Sequence, residues 1–442
     1  MRTLRRYSLL LAGLLILAGM ATPAQSADAD SFPLKDGDIW VMAGDSITAQ
    51  HLHSNYFEAF CFARYPKIKF AFRNSGVGGH TIPTTLARFD YDIAAWKPTV
   101  VSVELGMNDQ GGTPTDKYIG NMKTMVERIR SSKARPIMFM ASPINNGNTM
   151  ANLGGNKKLH DYAVALKEFS AQEKLPYADQ FHEVIDIWGK NKPNENLLNS
   201  LKTVGGIAKD DKLTGVEHLR AFLAANEKNA ANLVSMQGDP VHPGAPGQLM
   251  MAAALLKQLG ANGFVSSATI DAGGKVSDAK GCVIDAVRAE TSRLTFDRID
   301  DCLPFPIPDD ARAVLPLYPT ILDLSQYTLK VTGLKGTSYS LKINDTAVAN
   351  VSAKDLEKGI NLTAYGQGPI AAQGKAVLAA VSAKEGLVSQ WRGMSKAAIA
   401  PEAPASAKEA LAALTKKVEE ADAKIREAAK PQKLHFELAA VN

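Results

Sequence analysis

The sequence is poor in cysteine, and after residue 20 it has no apolar run long enough to span a membrane. Only Cys61, Cys282 and Cys302 are present, so a disulfide-dense scaffold is excluded. Their spacing also offers no metal site. In an oxidising compartment Cys282 and Cys302 could pair and leave Cys61 free; three unpaired thiols are the alternative.

Basic residues are not clustered in the body of the chain. The 50 basic and 45 acidic side chains give a formal net charge of +5, but three of the arginines lie in the first six residues. Without that segment the chain is close to neutral, so nothing indicates a nucleic-acid partner, which would need a clustered basic surface. The length favours two domains, or one large domain with appendages.

The first residues have the pattern of a secretory signal peptide. Arg2, Arg5 and Arg6 precede an apolar run over residues 8–20, and small-x-small sequences ending at residues 26 and 29 are candidate cleavage sites. A membrane anchor is the alternative, but the run is shorter than the roughly 20 residues that span a bilayer. The pattern predicts a signal peptide over residues 1–27 and a secreted or periplasmic protein.

Short apolar runs alternate with helical periodicities between residues 36 and 261. Such runs occur at residues 39–43, 68–72, 99–105, 136–141 and 176–178. Their short, mostly apolar composition is typical of strands that are covered on both faces. Steps of three and four between apolar residues indicate helices, as in Ile119, Met122, Val126 and Ile129. The alternation predicts an α/β fold with a mostly parallel sheet between helices, and residues 247–259 as the last helix.

Two other regions depart from this alternation. Residues 183–237 are polar and rich in turn residues, which predicts an insertion over one end of the sheet, either a lid or a surface excursion. Short β-type runs over about residues 264–370 predict an all-β module. Residues 406–430 predict one amphipathic helix docked on the body, with a narrow apolar seam of Leu411, Leu414, Val418, Ala421 and Ile425.

The segment GDSIT at residues 44–48 directly follows the first predicted strand. A serine in this place lies on a sharp strand-to-helix turn, with its hydroxyl exposed and the N-terminal amides of the helix directed toward it. Ser46 is therefore a candidate nucleophile. A serine that only caps the helix would have the same local pattern.

Two further motifs follow the second and third predicted strands. The segment NSGVGGHT at residues 74–81 is rich in glycine, which lets backbone amides approach a ligand closely. The segment GMND at residues 106–109 offers Asn108 as a donor to an oxyanion, although each segment alone could be a simple turn. In a doubly wound sheet of order 2-1-3-4-5 these loops and Ser46 emerge side by side at the switch point, where such folds bind ligands.

Asp239 and His242 lie in the segment DPVHP, before the last predicted helix of the α/β part. Two prolines stiffen the segment, so both side chains can point the same way. The carboxylate can then hold one imidazole nitrogen while the other faces a serine. A capped surface turn is the alternative. His51, His53 and His80 also lie near the predicted site, and we expect ordinary rim or structural roles for them.

The four motifs together, in this order, resemble the SGNH (GDSL) hydrolase family. The resemblance implies that Ser46 is the nucleophile, His242 the base and Asp239 the acid that orients the base. It also implies an oxyanion hole made by the backbone amides of Ser46 and Gly79 and by the side-chain amide of Asn108. Isoleucine replaces the leucine of the GDSL name, a frequent variant in carbohydrate-active members.

The resemblance covers about residues 36–261 and implies the fold of that part. We expect a flavodoxin-like SGNH-hydrolase α/β/α domain with a parallel sheet, followed by a smaller all-β module and a C-terminal helix. No candidate catalytic residue lies in the later parts, which are expected to dock on the hydrolase domain and to shape substrate access or bind glycan. The predicted division is a signal peptide over 1–27, a hydrolase domain over 28–262, a β-rich accessory module over 263–402, and an amphipathic helix with a tail over 403–442.

The function that follows from the resemblance and the predicted export is that of a secreted serine esterase. Its expected substrate is an O-acetyl group on a polysaccharide or glycan, or a small ester, and the mechanism needs no metal or organic cofactor. No stable membrane span is expected after leader cleavage. The alternatives are a lipase or lysophospholipase acting on longer acyl esters, and a non-catalytic glycan-binding envelope protein.

Overall fold

The computed structural model describes residues 32–210, 212–230 and 233–441. The predicted signal peptide over residues 1–27 lies outside these ranges. The first part contains a parallel five-stranded sheet with the strands β1 Asp38–Gly44, β2 Phe70–Gly76, β3 Val100–Glu104, β4 Arg135–Phe139 and β5 Tyr177–Ala178. Its order is β2-β1-β3-β4-β5, so the fold class and strand order expected from the sequence are confirmed.

Helices cover the sheet, which is why its strands are apolar on both faces. All five residues of β3, for example, are buried. The helices of this part are α1 Ser46–Ala49, α2 His53–Arg64, α3 Ile82–Leu86, α4 Thr115–Ser131, α5 Lys157–Gln172, α6 Gln180–Ala208, α7 Glu217–Ala230 and α8 Ala245–Gln258.

The insertion expected over residues 183–237 is built largely from helices α6 and α7. Apart from Ala208, the buried residues of α6 all lie at or before Glu195. The second half of α6 therefore has little contact with the core. Its apolar residues Leu198, Leu201 and Val204 are spaced by three, but they are only half-buried.

The second part contains two β-sheets. Its strands are β6 Phe264–Asp271, β7 Val276–Lys280, β8 Cys282–Ala289, β9 Arg293–Asp300, β10 Gln326–Thr332, β11 Ser338–Ile343, β12 Thr346–Ser352, β13 Ile360–Asn361 and β14 Leu434–Ala440. The four-stranded sheet has the order β13-β10-β6-β7, and the five-stranded sheet has the order β12-β11-β14-β9-β8. The chain end, predicted as a tail, is thus an inner strand. Its period-two burial of Leu434, Phe436 and Leu438 is the signal that indicates a strand.

Within the described residues, the α-helices of the second part are α9 Thr320–Asp323, α10 Ala353–Lys358, α11 Pro369–Ile399 and α12 Ala405–Ala428. Helix α12 was predicted from its seam, and Leu414, Val418, Ala421 and Ile425 are indeed buried. The prediction was wrong for residues 369–399, which were included in the β-rich module and form the long helix α11. That helix is rich in alanine, and its helical spacing is carried by Val377, Val381, Val388 and Trp391.

Helices α11 and α12 pack against each other as a hairpin and share the hydrophobic core of the first part. The same cluster of buried side chains contains Trp40 of β1, Phe57 of α2, Trp391 of α11 and Val418 of α12. The two β-sheets have a separate core around Phe296. The secondary structure therefore changes from α/β to β-rich after α8, but the hydrophobic core does not change at the same place. Helices α11 and α12, although they come after most of the β-strands, belong to the core of the first part.

All three cysteines are free thiols. The pairing of Cys282 with Cys302, one of the two alternatives open from the sequence, is absent because each thiol faces a different backbone carbonyl of β6. The Cys282 thiol donates to Ser267 at 3.4 Å and the Cys302 thiol to Val265 at 3.9 Å. No helix within the described ranges is both long and apolar enough to cross a membrane.

Candidate active site

Ser46 is the first residue of α1, directly beyond the carboxyl end of β1. The chain turns sharply here: a Cβ added to Gly44 would lie 2.0 Å from the Thr48 hydroxyl, so only glycine fits. The Asp45 side chain caps the helix by accepting the Ile47 amide at 2.9 Å. The turn leaves the Ser46 side chain partly exposed beside the loops that follow β2 and β3.

Ser46, His242 and Asp239 form one hydrogen-bonded chain. The Ser46 Oγ lies 2.8 Å from His242 Nε2, and His242 Nδ1 lies 2.9 Å from Asp239 Oδ2. Because a carboxylate can only accept, the Nδ1–H of a neutral imidazole donates to Asp239, and Nε2 is then left to accept the serine proton. These three residues are 196 positions apart at most, and the fold brings them together.

The loop that carries Asp239 and His242 is a tight turn. Asp239 Oδ1 accepts the backbone amides of Val241 and His242, each at 2.8 Å. Burial acts to raise the pKa of the Asp239 carboxyl, but these hydrogen bonds and the His242 ring outweigh it and hold the pKa below its ordinary value. Asp239 is therefore ionised throughout the neutral range. The Asn145 amide donates to the Pro240 carbonyl at 2.8 Å and anchors the loop.

The loop after β2 approaches the serine closely. A Cβ added to Gly78 would lie 4.0 Å from the Ser46 Cβ, and Gly79 has the positive φ of +74° that favours glycine. Asn108, after β3, donates from Nδ2 to the His80 carbonyl at 3.0 Å. One N–H of that amide thus fixes its orientation, and the other is left for a ligand. All the predicted site residues therefore gather at one edge of the sheet.

A buried ion pair that motif reasoning missed ties the first two loops together. Arg88 pairs with Asp92, and both side chains are buried. The Arg88 guanidinium donates to the carbonyls of Ser75 at 2.8 Å and of Gly44 at 3.4 Å. It also donates to His80 Nδ1 at 3.1 Å, so the neutral ring carries its proton on Nε2. The available signal was the spacing of four between Arg88 and Asp92, which also fits an ordinary surface pair.

Beneath Ser46 lies a second buried polar group. His53 Nε2 lies 2.8 Å from Glu104 Oε2, and its ring and backbone N–H both face the Gln248 oxygen at 3.0 Å. Gln248 in turn donates to the Pro243 carbonyl at 2.9 Å, next to His242. His53 thus has the structural role expected for it. Within the described ranges, no three His, Cys, Asp or Glu side chains are grouped so as to hold a metal ion.

Asp45 belongs to this buried group, and burial, with the neighbouring Glu104 charge adding to it, raises its pKa to about 7. An unfolded aspartate has a pKa of about 3.9. The stability that the protonated carboxyl contributes is therefore fully present below about pH 4 and is lost as the pH rises through about 7.

We accordingly expect Asp45→Asn, which keeps the oxygen that caps α1 but cannot ionise, to flatten the loss of stability that occurs as the pH rises from about 4 through about 7. The free energy of unfolding of the variant, relative to wild type, should rise by more than about 1 kcal/mol between about pH 5 and pH 9. Denaturant unfolding at several pH values measures this, with the exposed Asp116→Asn as the control. Parallel profiles for Asp45→Asn and wild type would contradict the assignment.

Comparison of the sequence with known proteins gives a match to one family model and to a curated relative. The model of the GDSL-like lipase/acylhydrolase family matches residues 42–249. The uncharacterized lipoprotein YqeF of Bacillus subtilis (strain 168) is 26% identical over 149 residues, which is 29% of this chain and 61% of the relative. The chain thus spans less than two thirds of that relative's length.

Solved structures show a wider likeness of fold. A gut microbial diltiazem-metabolizing enzyme covers 92% of this chain and 99% of its own, with a TM-score of 0.70 and 22% identity. The shared fold therefore extends through the second part. Axe2, an acetylxylan esterase from Geobacillus stearothermophilus, covers 51% of this chain and 95% of its own, with a TM-score of 0.36 and 19% identity.

The family match spans the segments that carry Ser46, Gly79, Asn108, Asp239 and His242. It confirms the resemblance expected from the four motifs. Residues 42–249 of this chain match the GDSL-like lipase/acylhydrolase family, and this match supports a hydrolase of carboxylic esters.

Proposed function

We propose that this protein is an exported serine esterase in which Ser46 is the nucleophile, His242 the general base and Asp239 the residue that orients the base. The observation that carries the proposal is the hydrogen-bonded chain from the Ser46 hydroxyl through the imidazole to the carboxylate. A hydroxyl, a base and a third group that orients the base are the parts that an activated serine requires.

The chemistry follows from these contacts. His242 Nε2 removes the Ser46 proton as Oγ attacks the ester carbonyl, and a tetrahedral intermediate forms. The protonated ring then gives that proton to the leaving alcohol, which departs and leaves an acyl-enzyme. Water, deprotonated by the same imidazole, attacks the acyl-enzyme and releases the acid and the free serine. Asp239 stabilises the imidazolium in both halves of the cycle.

The charge that develops on the carbonyl oxygen needs donors on the side of the loops after β2 and β3. We assign this role to the backbone amides of Ser46 and Gly79 and to the free N–H of the Asn108 side chain. The Asn108 amide is already oriented by its bond to the His80 carbonyl, so little rearrangement is needed during the reaction. Donors arranged in advance are the most effective form of such stabilisation.

Asn108→Ala is expected to lower kcat by about 10²- to 10³-fold with little change in KM, because the oxyanion exists only in the transition state. Steady-state kinetics on p-nitrophenyl acetate measure both constants. Gln110→Ala, two residues further along the same loop, is the matched control and should change kcat little. An effect on KM alone would make Asn108 a binder of the ground state instead.

The substrate that the site favours is an acetyl ester on a polysaccharide or glycan. Ser46 and His242 are partly exposed and Asp239 is exposed, so the site is open to a bulky alcohol. Its neighbours His80 and Asn108 are polar and suit hydroxyl-rich surroundings. The apolar run in the first twenty residues and the lipoprotein relative support an exported location, where such polymers are found.

Two assays test this assignment. Acetate release from a panel of acetylated polysaccharides should exceed that of the Ser46→Ala protein. Turnover of p-nitrophenyl esters should fall from acetate to longer acyl chains. A preference for long chains would indicate a lipase or lysophospholipase, and no turnover with binding of glycan would indicate a non-catalytic envelope protein.

A further inference from the structure

Strand β2 is the edge strand of the parallel sheet, and it leads directly into the loop that contains Gly79. Its odd-numbered residues face β1, as the bonds from Gly37 to the Lys69 carbonyl and from Val77 to the Gly44 carbonyl show. The even-numbered residues therefore present their backbone groups to the free edge. Unpaired edge groups must be covered or bound by other partners.

Charged side chains of the C-terminal hairpin α11–α12 bind the first half of this edge. Arg426 of α12 donates to the Ile68 carbonyl at 3.2 Å and also to the Phe70 carbonyl. Lys384 of α11 donates to the Phe72 carbonyl at 2.8 Å. Helical side chains thus take the place that a further strand would have in a larger sheet.

In the second half of the edge, α11 supplies partners for Asn74 and Gly76. The Asn74 amide donates to Glu385 Oε2 at 3.2 Å, and Arg392 Nη1 donates to the Gly76 carbonyl at 2.5 Å. Arg392 is one of the few charged side chains of α11 that reach the β2 edge, and its contact is the one nearest to Gly79. The contact lies only three residues before the glycine.

Some of the charges at this edge are themselves paired. Lys384 lies 2.8 Å from Glu58 and also contacts Glu385, while Arg73 pairs with Asp422 at 2.7 Å. Burial raises the pKa of Glu58 well above its ordinary value, although the charge of Lys384 acts against that rise. Buried pairs of this kind define position more than they add stability, because desolvation offsets much of their attraction.

The end of β2 is also connected to the turn of the nucleophile. Asn74 Nδ2 donates to the Thr48 carbonyl at 2.7 Å and to Ser54 Oγ at 2.9 Å, and Asn74 Oδ1 accepts the Gly76 amide at 2.8 Å. A displacement of β2 at this point would therefore change the distance between Ser46 and Gly79, the two proposed backbone donors.

We infer that Arg392 is a positioning residue for the oxyanion hole, and that α11 thereby makes the C-terminal part a component of the active site. The inference rests on the proposed function in that Gly79 is taken as an oxyanion donor. Arg392 does not touch the reacting atoms. It holds the Gly76 carbonyl and so sets the place at which the loop of residues 77–80 begins.

Arg392→Met removes the donors and keeps the aliphatic stem, and it is expected to lower kcat on p-nitrophenyl acetate by about 10- to 100-fold with little change in KM. Arg392→Lys, which retains a donor, should restore most of the activity. Lys396→Ala, one turn further along α11 where Lys396 is exposed over the Tyr91 ring, is the matched control and should leave kcat unchanged. Arg392→Ala serves as a second variant if Arg392→Met does not fold.

Hydrogen–deuterium exchange of a peptide that covers residues 74–80 provides a readout independent of activity. Exchange should accelerate in Arg392→Met and remain at the wild-type rate in Lys396→Ala. Unchanged exchange with unchanged kcat, or an equal loss of kcat in Arg392→Met and Lys396→Ala, would overturn the inference. If exchange accelerates in Arg392→Met but the wild-type protein hydrolyses no ester, the proposed function is refuted. The coupling of α11 to the loop is then still supported.

Discussion

Replacing Ser46 with alanine is expected to lower kcat for ester hydrolysis by at least about 10⁴-fold. The serine hydroxyl is the atom that forms the acyl-enzyme, and no other hydroxyl is bonded to His242 in the part of the chain that the structure describes. The side chain is small and partly exposed, so its loss should leave the melting temperature nearly unchanged. The initial rate on p-nitrophenyl acetate, with circular dichroism as a check of folding, measures the effect.

His242→Ala should reduce kcat to a similar degree, and the double variant should lose little more, because the three residues act as a unit. Ser131→Ala, an exposed serine on α4, is the control for substitution of a serine. Substantial activity in a correctly folded Ser46→Ala protein would refute Ser46 as the nucleophile. Full activity in His242→Ala would refute the base.

A chain that ends at Val265 retains every proposed catalytic residue, yet we expect it not to fold. Trp391 stacks on Trp96 with 3.8 Å between ring centroids, and truncation exposes that surface of the first part. Glu58 also loses Lys384 and is left buried without its partner. Loss of one buried aromatic costs about 3–5 kcal/mol, and a whole domain is stable by only about 5–15 kcal/mol.

Expression of this truncated chain beside residues 28–442 tests the expectation. The longer chain should give a soluble, cooperatively unfolding protein, and the truncated one an insoluble or unfolded product. A truncated protein that unfolds cooperatively and hydrolyses p-nitrophenyl acetate at the wild-type rate would contradict it. The boundary predicted near residue 263 would then separate two independently folding domains.

Three of the candidate site residues could be recognised in the sequence because each lies just after a strand. Ser46, Gly79 and Asn108 each follow a short buried run, and the order of a doubly wound sheet is enough to bring their loops together. The Asp239–His242 dyad was recognisable for a different reason, since its members are three residues apart and lie in one stiff turn. Sequence reasoning therefore predicted the members of the proposed site and their proximity.

The support of the site was not predictable in the same way. Arg73 and Asp422 are 349 positions apart, and each alone has the composition of a solvated surface charge. Helix α11 consists largely of alanine, glycine and scattered charges, so its core-facing seam is weak. Lys384 and Glu385 of this helix are buried because the edge of β2 needs partners, and that need arises only when the sheet has formed.

Labelling of the full-length protein with a fluorophosphonate, followed by mass spectrometry of its peptides, is the most direct test that Ser46 is an activated nucleophile. A covalent phosphonate requires a serine whose proton is removed by a neighbouring base, with fluoride as the leaving group. We predict a single adduct on the peptide that contains Ser46, and a strongly slowed reaction in His242→Ala. An unlabelled protein, or an adduct on any other residue, would contradict the proposed triad.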